Sequence, residues 1–466
     1  MILLAHSYFL RNDPKQLARM KPYAPLATLL AAALLRQRGH EIALFDAMLA
    51  TGVASFEAML DETRPPVVGI LEDNFNYLTK MCTVRSREAT IAMIKTARSR
   101  GCRVAVNGSD STDRPALYLA AGADAVLLGE GEMGFLSLAD AWRADAAASL
   151  RSIPGLALAD GNGGVTYTPA RSGLRELDSL PLPAWDLVDA ESYARAWRSA
   201  HGRFSWNMVT SRGCPYGCNW CAKPVFGRRY TQRSPDAVAD EMRRLKDQIA
   251  PDHIWFADDI FGLTDEWVRE FARAVAIRDA RTPFMMQSRV NLMRPDVVDA
   301  LADAGAEEVW LGVESGSQKV LDAMEKGTSV DEARLATRIL KSRGVRACWF
   351  VQLGYPSETW EDVLDTRSLI RDERPDDIGV SVSYPLPGTK FHDSVSAELG
   401  TQRNWEHTDD LAMLFRGTYS TAFYRRVRDA LHDEVRTGAI DETRWIELAD
   451  DESAHRSKGP IPVAGR

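Results

Sequence analysis

Short, nearly continuous apolar runs alternate with helical patterns along most of this 466-residue chain. This alternation limits the fold to parallel sheets that are covered by helices on both faces. The first set of predicted strands is Ile2–His6, Glu41–Phe45, Val67–Leu71, Arg103–Asn107 and Asp124–Leu128. The helical patterns between them lie at Pro25–Arg38, Ala54–Thr63, Arg87–Arg100 and Asp113–Ala121. The sequence therefore predicts a doubly wound parallel sheet, with ligands at the carboxyl ends of its strands.

A second, longer alternation follows. Its predicted strands are Trp206–Ser211, His253–Ala257, Pro283–Ser288, Glu308–Val313, Val345–Leu353 and Ile378–Tyr384. Helix starts are indicated by Ser234-Pro235, by Arg294-Pro295 and by a capping box from Ser329 to Glu332. Six β/α units predict a partial parallel barrel, with functional groups on the loops after the strands.

The expected organisation is an α/β chain in five parts. Residues 1–147 form the first sheet domain, 148–201 a linker, 202–392 the barrel, 393–450 a helical region and 451–466 a flexible tail. Within the linker, Gly161 to Gly164 indicate a tight turn between two short strands.

Composition narrows the classes of function. The chain has 57 Lys and Arg against 65 Asp and Glu, a net charge of −8, and 45% hydrophobic residues. This composition excludes a disordered or collagen-like chain and argues against a nucleic-acid partner. The longest apolar stretch, Tyr23 to Leu35, is shorter than the roughly 20 residues of a membrane span. The N-terminal residues do not resemble a secretion signal, so we expect a cytoplasmic protein with reduced thiols.

Three of the six cysteines lie together, as Cys214, Cys218 and Cys221. The spacing C-x3-C-x2-C, with Pro215 and Gly217 inside it, lets three thiolates converge on one iron–sulfur cluster. Three ligands on four irons leave one iron open. The alternative is a zinc ion that staples the loop of a non-catalytic adaptor. Zinc requires a fourth ligand, and the other cysteines (Cys82, Cys102 and Cys348) and the nearest histidines (His201 and His253) do not have suitable spacing.

The motif Cys-x3-Cys-x-aromatic-Cys after the first barrel strand, with Trp220 as the aromatic residue, resembles the radical S-adenosylmethionine (SAM) enzymes. The resemblance implies that a [4Fe-4S] cluster binds SAM through its open iron. It also implies that an electron from the cluster cleaves SAM to methionine and a 5′-deoxyadenosyl radical. A reductant such as flavodoxin or ferredoxin is the implied electron donor.

The resemblance also implies SAM contacts at the ends of the later strands. Asp258 and Asp259 correspond to residues that meet the SAM amino group, and Arg289 to a partner of its carboxylate. Glu314 and Ser315, in Gly-x-Glu-Ser-Gly, correspond to residues facing the ribose and amino acid portion. Gln352 and Tyr384 lie on the adenine side. The residues alone also permit structural roles. The two aspartates could cap helices, Arg289 could neutralise them, Glu314 could be solvated, and the residues of the last two strands could simply pack in the barrel.

The first domain has no Gly-x-Gly-x-x-Gly after its first strand, which argues against NAD. Its position before the barrel resembles the cobalamin-binding radical SAM enzymes, which include C-methyltransferases and anaerobic magnesium-porphyrin cyclases. The supporting strings are Lys21 to Leu26, Gly108 to Thr112 and Leu128 to Glu132. The implied cobalamin contacts are Ser109, Asp110, Ser111, Thr112, Gly129, Glu130 and Gly131. His6 lies in the loop that supplies a cobalt ligand in some B12 proteins, but the motif Asp-x-His-x-x-Gly is absent, so we expect an unligated lower face.

The resemblance implies a cobalamin-dependent C-methyltransferase that acts on a small molecule or natural product. One SAM supplies the methyl group to cobalamin, and a second yields the radical that abstracts hydrogen from the substrate. An alternative keeps both cofactors but oxidises, cyclises or rearranges the substrate without methyl transfer. The region Trp405 to Arg436 is expected to pack as an amphipathic helix rather than to contact substrate.

Overall fold

Two sheets form the framework of the computed structural model, which describes residues 1–75, 81, 83–144, 147–223, 225–400 and 404–456. The first sheet has seven strands in the order β2-β1-β3-β4-β5-β6-β7. They are β1 Ile2–Ala5, β2 Ile42–Phe45, β3 Val67–Leu71, β4 Arg103–Asn107, β5 Ala125–Leu127, β6 Leu156–Ala159 and β7 Val165–Tyr167. The first five strands are parallel, as predicted.

The last two strands correct the predicted domain boundary. The turn at Gly161 to Gly164 does join two short strands, but β6 pairs antiparallel with β5 and therefore belongs to the first sheet. Residues 148–167 are thus not a linker.

Helices cover both faces of this sheet. They are α1 Pro14–Arg19, α2 Leu26–Gln37, α3 Val53–Thr63, α4 Val84–Ser99, α5 Ser109–Asp113, α6 Pro115–Ala120 and α7 Gly131–Arg143, and α8 Ala190–His201 follows the sheet. The helix predicted over Asp113–Ala121 is confirmed as α6, which begins at Pro115, two residues later than predicted, and the short helix α5 precedes it. Arg114 has φ −135° and ψ 51°, outside the helical range. The reason is Pro115, which disfavours helical geometry in the residue before it.

The second sheet is the predicted six-stranded partial barrel. Its order is β15-β14-β13-β12-β11-β8, and all neighbours are parallel. Its strands are β8 Ser205–Met208, β11 His253–Phe256, β12 Phe284–Ser288, β13 Ala306–Glu314, β14 Arg346–Leu353 and β15 Asp377–Val382, and a small pair is formed by β9 Ser211–Arg212 and β10 Thr231–Gln232. The helices of the barrel are α9 Pro235–Gln248, α10 Asp265–Ile277, α11 Pro295–Ala304, α12 Gln318–Ala323, α13 Val330–Ser342 and α14 Trp360–Glu373. The predicted caps are confirmed at Ser234, at Pro295 and at the capping box of Ser329 and Glu332.

The C-terminal part is helical, with α15 Lys390–Val395, α16 Thr421–Thr437 and α17 Glu442–His455. Phe423, Tyr424 and Leu431 of α16 are fully buried, which confirms the expected packing role of this helix. The expected flexible tail is wrong for residues 451–455, because α17 continues through them; residues 457–466 and Cys82 lie outside the described residues.

The first domain also supplies part of the barrel wall. The Asn207 side chain on β8 accepts a hydrogen bond from Ala24 N at 2.9 Å and donates one to Ala24 O at 2.9 Å. Tyr23 packs edge-on against Trp255 of β11. Segment 22–24 thus lies against the open edge of the partial barrel.

None of the helices that the structure describes is long and apolar enough to cross a membrane.

Candidate cofactor site

The cysteine loop joins β9 to β10 at the carboxyl end of the first barrel strand. Its first residue, Gly213, has φ +77°, and an added Cβ would lie 2.2 Å from Arg229 O, so only glycine fits there. Asn219 anchors the centre of the loop. Its backbone N–H donates to Met324 O at 3.1 Å, and its Oδ1 accepts from the Tyr355 hydroxyl at 3.0 Å. The loop is therefore attached to the loops that follow β13 and β14.

The three thiols lie at different depths. Cys218 is buried, whereas Cys214 and Cys221 are half-buried, and none of them forms a disulfide. Burial raises the pKa of the Cys214 thiol, and the nearby Lys223 ammonium acts in the opposite direction. A strongly charged metal group is therefore needed to hold Cys214 as a thiolate near neutral pH.

The donor set fits an iron–sulfur cluster. Three soft sulfur ligands lie on one short loop, which suits a cluster that takes each thiolate on a separate iron. In the described part of the chain, no three His, Cys, Asp or Glu side chains converge as ligands of a single metal ion.

Arg289 lies directly against the cysteine loop. Its Nη1 is 3.5 Å from Cys218 Sγ, and its guanidinium lies 3.8 Å from the centre of the Tyr216 ring. Its Nη2 donates to Lys326 O at 2.5 Å. Arg289 is buried, so its charge raises the local potential where an anionic cluster would bind.

The two predicted acidic residues differ in environment. Asp258 is buried and accepts hydrogen bonds from Thr210 N at 3.0 Å and Thr210 Oγ1 at 2.9 Å. Burial raises the pKa of Asp258 to about 7. Its hydrogen bonds stabilise the turn after β8, which explains why this strand ends before the predicted Ser211. Asp259 is exposed, and its charge adds to the raised pKa of Cys214.

Glu314 forms a buried ion pair that the sequence did not indicate. Its Oε1 accepts a hydrogen bond from Lys326 Nζ at 2.7 Å, and the Lys326 ammonium is 6.0 Å from the centre of the Trp220 ring. An added Cβ on Gly312 would lie 2.6 Å from Lys326 Nζ, so this glycine makes room for the pair. Glu314 itself has φ +66°, a conformation that is uncommon for residues other than glycine.

The remaining predicted SAM residues make internal contacts. Ser315 Oγ lies 3.3 Å from Thr366 Oγ1, and Gln352 Oε1 accepts from Ser383 Oγ at 3.0 Å. Tyr384 packs edge-on against Trp405. The structure thus places Trp220, Asp259, Arg289 and Glu314 around the cysteine loop, while Ser315, Gln352 and Tyr384 contact their own neighbours.

On the first domain, the residues after β4 form helix α5. Asp110 pairs with Arg87 through two hydrogen bonds of 2.5 and 2.7 Å and accepts a third from the Tyr118 hydroxyl at 2.6 Å. Ser111 Oγ donates to Gly108 O at 3.1 Å. Ser109 Oγ and Thr112 Oγ1 are buried without a hydrogen-bond partner among the described residues. A buried hydroxyl is normally satisfied, so these two atoms fit a polar ligand group at this edge.

The residues after β5 have a different role. Glu130 Oε2 accepts from Arg212 Nη1 at 2.8 Å, and Glu132 Oε1 accepts from Arg212 Nη2 at 3.0 Å. Gly131 makes room for Asn107, since an added Cβ would lie 2.4 Å from its side chain. Gly129 has φ +70°, and the nearest atom to an added Cβ is Val225 O at 3.7 Å.

These contacts place the carboxyl edges of the two sheets opposite each other. Arg212 immediately precedes the cysteine loop, and Phe75, after β3, stacks on Phe226 at 5.0 Å. A cleft of about 240 Å³ lies between the two domains. Its walls include Asp110 and Asp113 on one side and Ala222 and Pro385 on the other.

His6 does not point toward this cleft edge at α5. Its Nε2 lies 2.9 Å from Asp46 Oδ1 and 3.0 Å from Ala47 N, beside the outermost strand β2. Burial opposes a charge on the ring, but the hydrogen bond to Asp46 and the charges of Asp46, Glu72 and Asp73 together outweigh it and raise the pKa of His6. The ring is therefore already engaged by β2, which supports the prediction that it is not a cobalt ligand.

Residues 208–370 match the Radical SAM superfamily, and this match includes the cysteine loop and strands β11 to β14. The chain therefore contains a radical SAM domain. Such a domain implies a [4Fe-4S] cluster and SAM, and favours the cluster over a zinc staple.

Relatives extend the similarity beyond this domain. An uncharacterised methyltransferase of Pyrococcus horikoshii is 27% identical over 386 residues, 82% of this chain and 80% of the relative. The anaerobic magnesium-protoporphyrin IX monomethyl ester cyclase of Rubrivivax gelatinosus is 29% identical over 57% of this chain and 47% of the cyclase. The fold is also similar to that of TsrM, a radical SAM methyltransferase from Kitasatospora setae whose structure has cobalamin and a [4Fe-4S] cluster bound. The TM-score is 0.67 at 20% sequence identity, and the matched region covers 89% of this chain and 84% of TsrM. Over most of its length the chain thus resembles the cobalamin-binding radical SAM enzymes.

Proposed function

We propose that this protein is a cobalamin-dependent C-methyltransferase that acts on a small molecule. In this proposal the first domain, extended to β7, binds cobalamin, and the barrel binds the cluster and SAM. The names of the Pyrococcus and Kitasatospora proteins support methyl transfer. The similarity to the magnesium-protoporphyrin cyclase favours one alternative, a radical cyclisation with the same cofactors.

The observation that carries the proposal is the meeting of the two sheet edges. Ligands of doubly wound sheets and of barrels bind at the carboxyl ends of strands. Here both carboxyl ends border the same cleft, and Arg212 joins Glu130 of one domain to the start of the cysteine loop of the other. A substrate in this cleft would contact both cofactor sites.

Within the barrel we assign Cys214, Cys218 and Cys221 as the cluster ligands. The cluster, when bound, supplies the electron that cleaves SAM. Arg289 donates toward Cys218 Sγ and adds a buried positive charge beside the ligands. A hydrogen bond and a positive charge both stabilise a thiolate, so Arg289 supports ligation.

The SAM contacts that we propose surround this loop. Asp259 and Asp258 remain candidates for the SAM amino group, with Asp259 the more accessible of the two. Lys326 fixes the Glu314 carboxylate by a hydrogen bond, and we propose that Glu314 contacts the ribose. Trp220, Ser315, Gln352 and Tyr384 complete the proposed set.

Cobalamin, when bound, supplies a carrier for the methyl group. We propose that Ser109 and Thr112 donate hydrogen bonds to it, because their hydroxyls are buried without partners among the described residues. Asp110, Ser111, Gly129 and Gly131 line the same edge, whereas Glu130 acts mainly through Arg212. Because such a cluster is sensitive to oxygen, we propose that the protein works in the reducing cytoplasm. We also propose that its electron donor is a flavodoxin or ferredoxin.

The test begins with iron and sulfide content after anaerobic reconstitution. We expect wild-type protein and Cys102→Ala, a matched control in the first domain, to carry about four irons per chain, as a [4Fe-4S] cluster requires. Cys214→Ala, Cys218→Ala and Cys221→Ala should each lose most of the iron and all cleavage of SAM.

The second measurement adds SAM, cobalamin and a low-potential reductant. Formation of 5′-deoxyadenosine together with S-adenosylhomocysteine would support methyl transfer. Formation of 5′-deoxyadenosine alone would favour the cyclase-like alternative, and zinc without iron would contradict both.

A further inference from the structure

The inner face of the partial barrel is only half covered. On β11, β12, β13 and β15, and at Phe350 on β14, the side chains that point away from the helices are half-buried, whereas their outward neighbours are buried. The half-buried inward residues are Trp255, Met285, Gln287, Trp310, Gly312, Phe350, Gly379 and Ser381. In a closed eight-stranded barrel, layers of large side chains fill this interior. The lumen of this barrel is therefore accessible to a ligand.

Two stacked aromatic rings lie in the lumen. Trp310 and Phe350 stack with their centres 4.8 Å apart and their planes at 30°. An added Cβ on Gly379 would lie 3.3 Å from Trp310 Cζ3 and 3.4 Å from Phe350 Cδ1. Both rings thus extend across neighbouring strands over this glycine. Glu308 Oε1 accepts a hydrogen bond from Trp310 Nε1 at 2.6 Å, which holds the indole in this orientation.

Between the Trp310–Phe350 pair and Glu314, the polar groups of the lumen are uncharged. Gln287 lies beside Trp310 in the strand register, and Ser381 lies beside Gln352. Among the inward residues that the structure describes, none above the level of Trp310 and below that of Glu314 carries a charge; Asp377, at the level of Trp310, is exposed. At the upper end, Glu314 and Lys326 neutralise each other. A charged group would lose its hydration here without a partner, so the lumen favours a neutral ligand.

We propose that the lumen binds the substrate through a planar, uncharged ring system that stacks on Trp310 and Phe350. Gln287 and Ser381 supply hydrogen bonds to polar groups at the edge of the ring. The inference rests on the proposed function, because a substrate in the lumen lies next to the proposed SAM residues, where hydrogen abstraction would occur.

The test uses two probes with the same skeleton, planar 2-naphthol and saturated decahydro-2-naphthol. Their binding to the reconstituted full chain is measured by anaerobic isothermal titration calorimetry. We expect 2-naphthol to bind at least about 10-fold more tightly. Trp310→Leu and Phe350→Leu should each weaken 2-naphthol binding by roughly 2- to 12-fold, the range for loss of one aromatic pair, and should change binding of the saturated probe less.

Tyr167→Leu is the matched control, because Tyr167 is an aromatic residue on β7 of the other sheet with 60% of its surface exposed. It should not change the affinity for either probe. Gly379→Val provides an independent variant if Trp310→Leu or Phe350→Leu fails to fold. It should weaken 2-naphthol binding by displacing the two rings. Equal affinity for the two probes, or equal effects of Trp310→Leu and Tyr167→Leu, would overturn the inference.

The same preparations separate this inference from the proposed function. If wild-type protein fails to cleave SAM but binds 2-naphthol in a Trp310-dependent manner, the proposed function fails and the ring site stands. If it cleaves SAM but shows no such binding, the ring site fails alone.

Discussion

Arg212 offers the sharpest test of how the two domains are joined. Its guanidinium is only 4% exposed and pairs with Glu130 and Glu132, which are 11% and 7% exposed. It also lies 5.4 Å from the ring centre of Phe75 and 5.3 Å from that of Phe226. Arg212→Met keeps most of the side-chain volume but removes the arginine partner of Glu132 and leaves Glu130 with Arg229 at 4.0 Å and the Leu174 N–H at 3.2 Å.

The expected cost is large. Breaking a buried ion pair by removing one partner typically costs about 3–5 kcal/mol, because the remaining charge stays buried. At roughly 2–4 °C per kcal/mol for a domain of ordinary size, the first unfolding transition should fall by about 6 °C or more. Differential scanning fluorimetry under anaerobic conditions measures this shift.

Two further variants make the test specific. Arg269→Met breaks an exposed pair with Asp296 and should cost no more than about 1 kcal/mol. Adding Glu130→Gln and Glu132→Gln to Arg212→Met should recover part of the loss, since it removes the unpaired charges. The reasoning is refuted if Arg212→Met is as mild as Arg269→Met, or if the triple variant is less stable than Arg212→Met alone.

Three other predictions concern single residues. Gly213→Ala should abolish cluster binding, measured as iron content, because its Cβ would overlap Arg229 O; normal iron content would contradict the geometry. Lys326→Met should raise the KM for SAM by roughly 10-fold or more through loss of the partner of Glu314, a buried charged hydrogen bond, while iron content stays unchanged. Burial raises the pKa of Glu358 to about 8, so the folded protein retains a proton that the unfolded chain releases. The stability of the wild-type protein should therefore fall as the pH rises from about 4.5 to 8. The melting temperature of Glu358→Gln relative to that of the wild type should increase over the same pH range. A difference in melting temperature that stays constant with pH would contradict this.

Local sequence patterns were sufficient to predict where most strands and helices lie, but not which strands pair with each other. Strand and helix positions follow from apolar periodicity and from caps such as Ser329, all of which are local. The place of β6 in the first sheet could not be predicted, because its pairing with β5 is a tertiary contact. At Pro115 a local signal for the helix start was present, and the predicted start at Asp113 overlooked it.

The same distinction applies to the site. Cys214, Cys218 and Cys221 are recognisable because all three ligands lie on one loop. Lys326 and Arg212 were missed, because their roles depend on Glu314, 12 residues away, and Glu132, 80 residues away. A lysine or arginine next to a glycine in a strand-end loop is a weak signal that could have drawn attention to both.

The contact between Asn207 and Ala24 has a consequence for how such enzymes diversify. A catalytic unit whose first strand binds the backbone of its N-terminal neighbour through a side-chain amide cannot exchange that neighbour freely, since any replacement must offer a backbone segment in the same place. Grafting this barrel onto a foreign partner would leave the Asn207 amide unsatisfied and Trp255 uncovered. We therefore expect the two modules to be inherited, and to be engineered successfully, only as a unit.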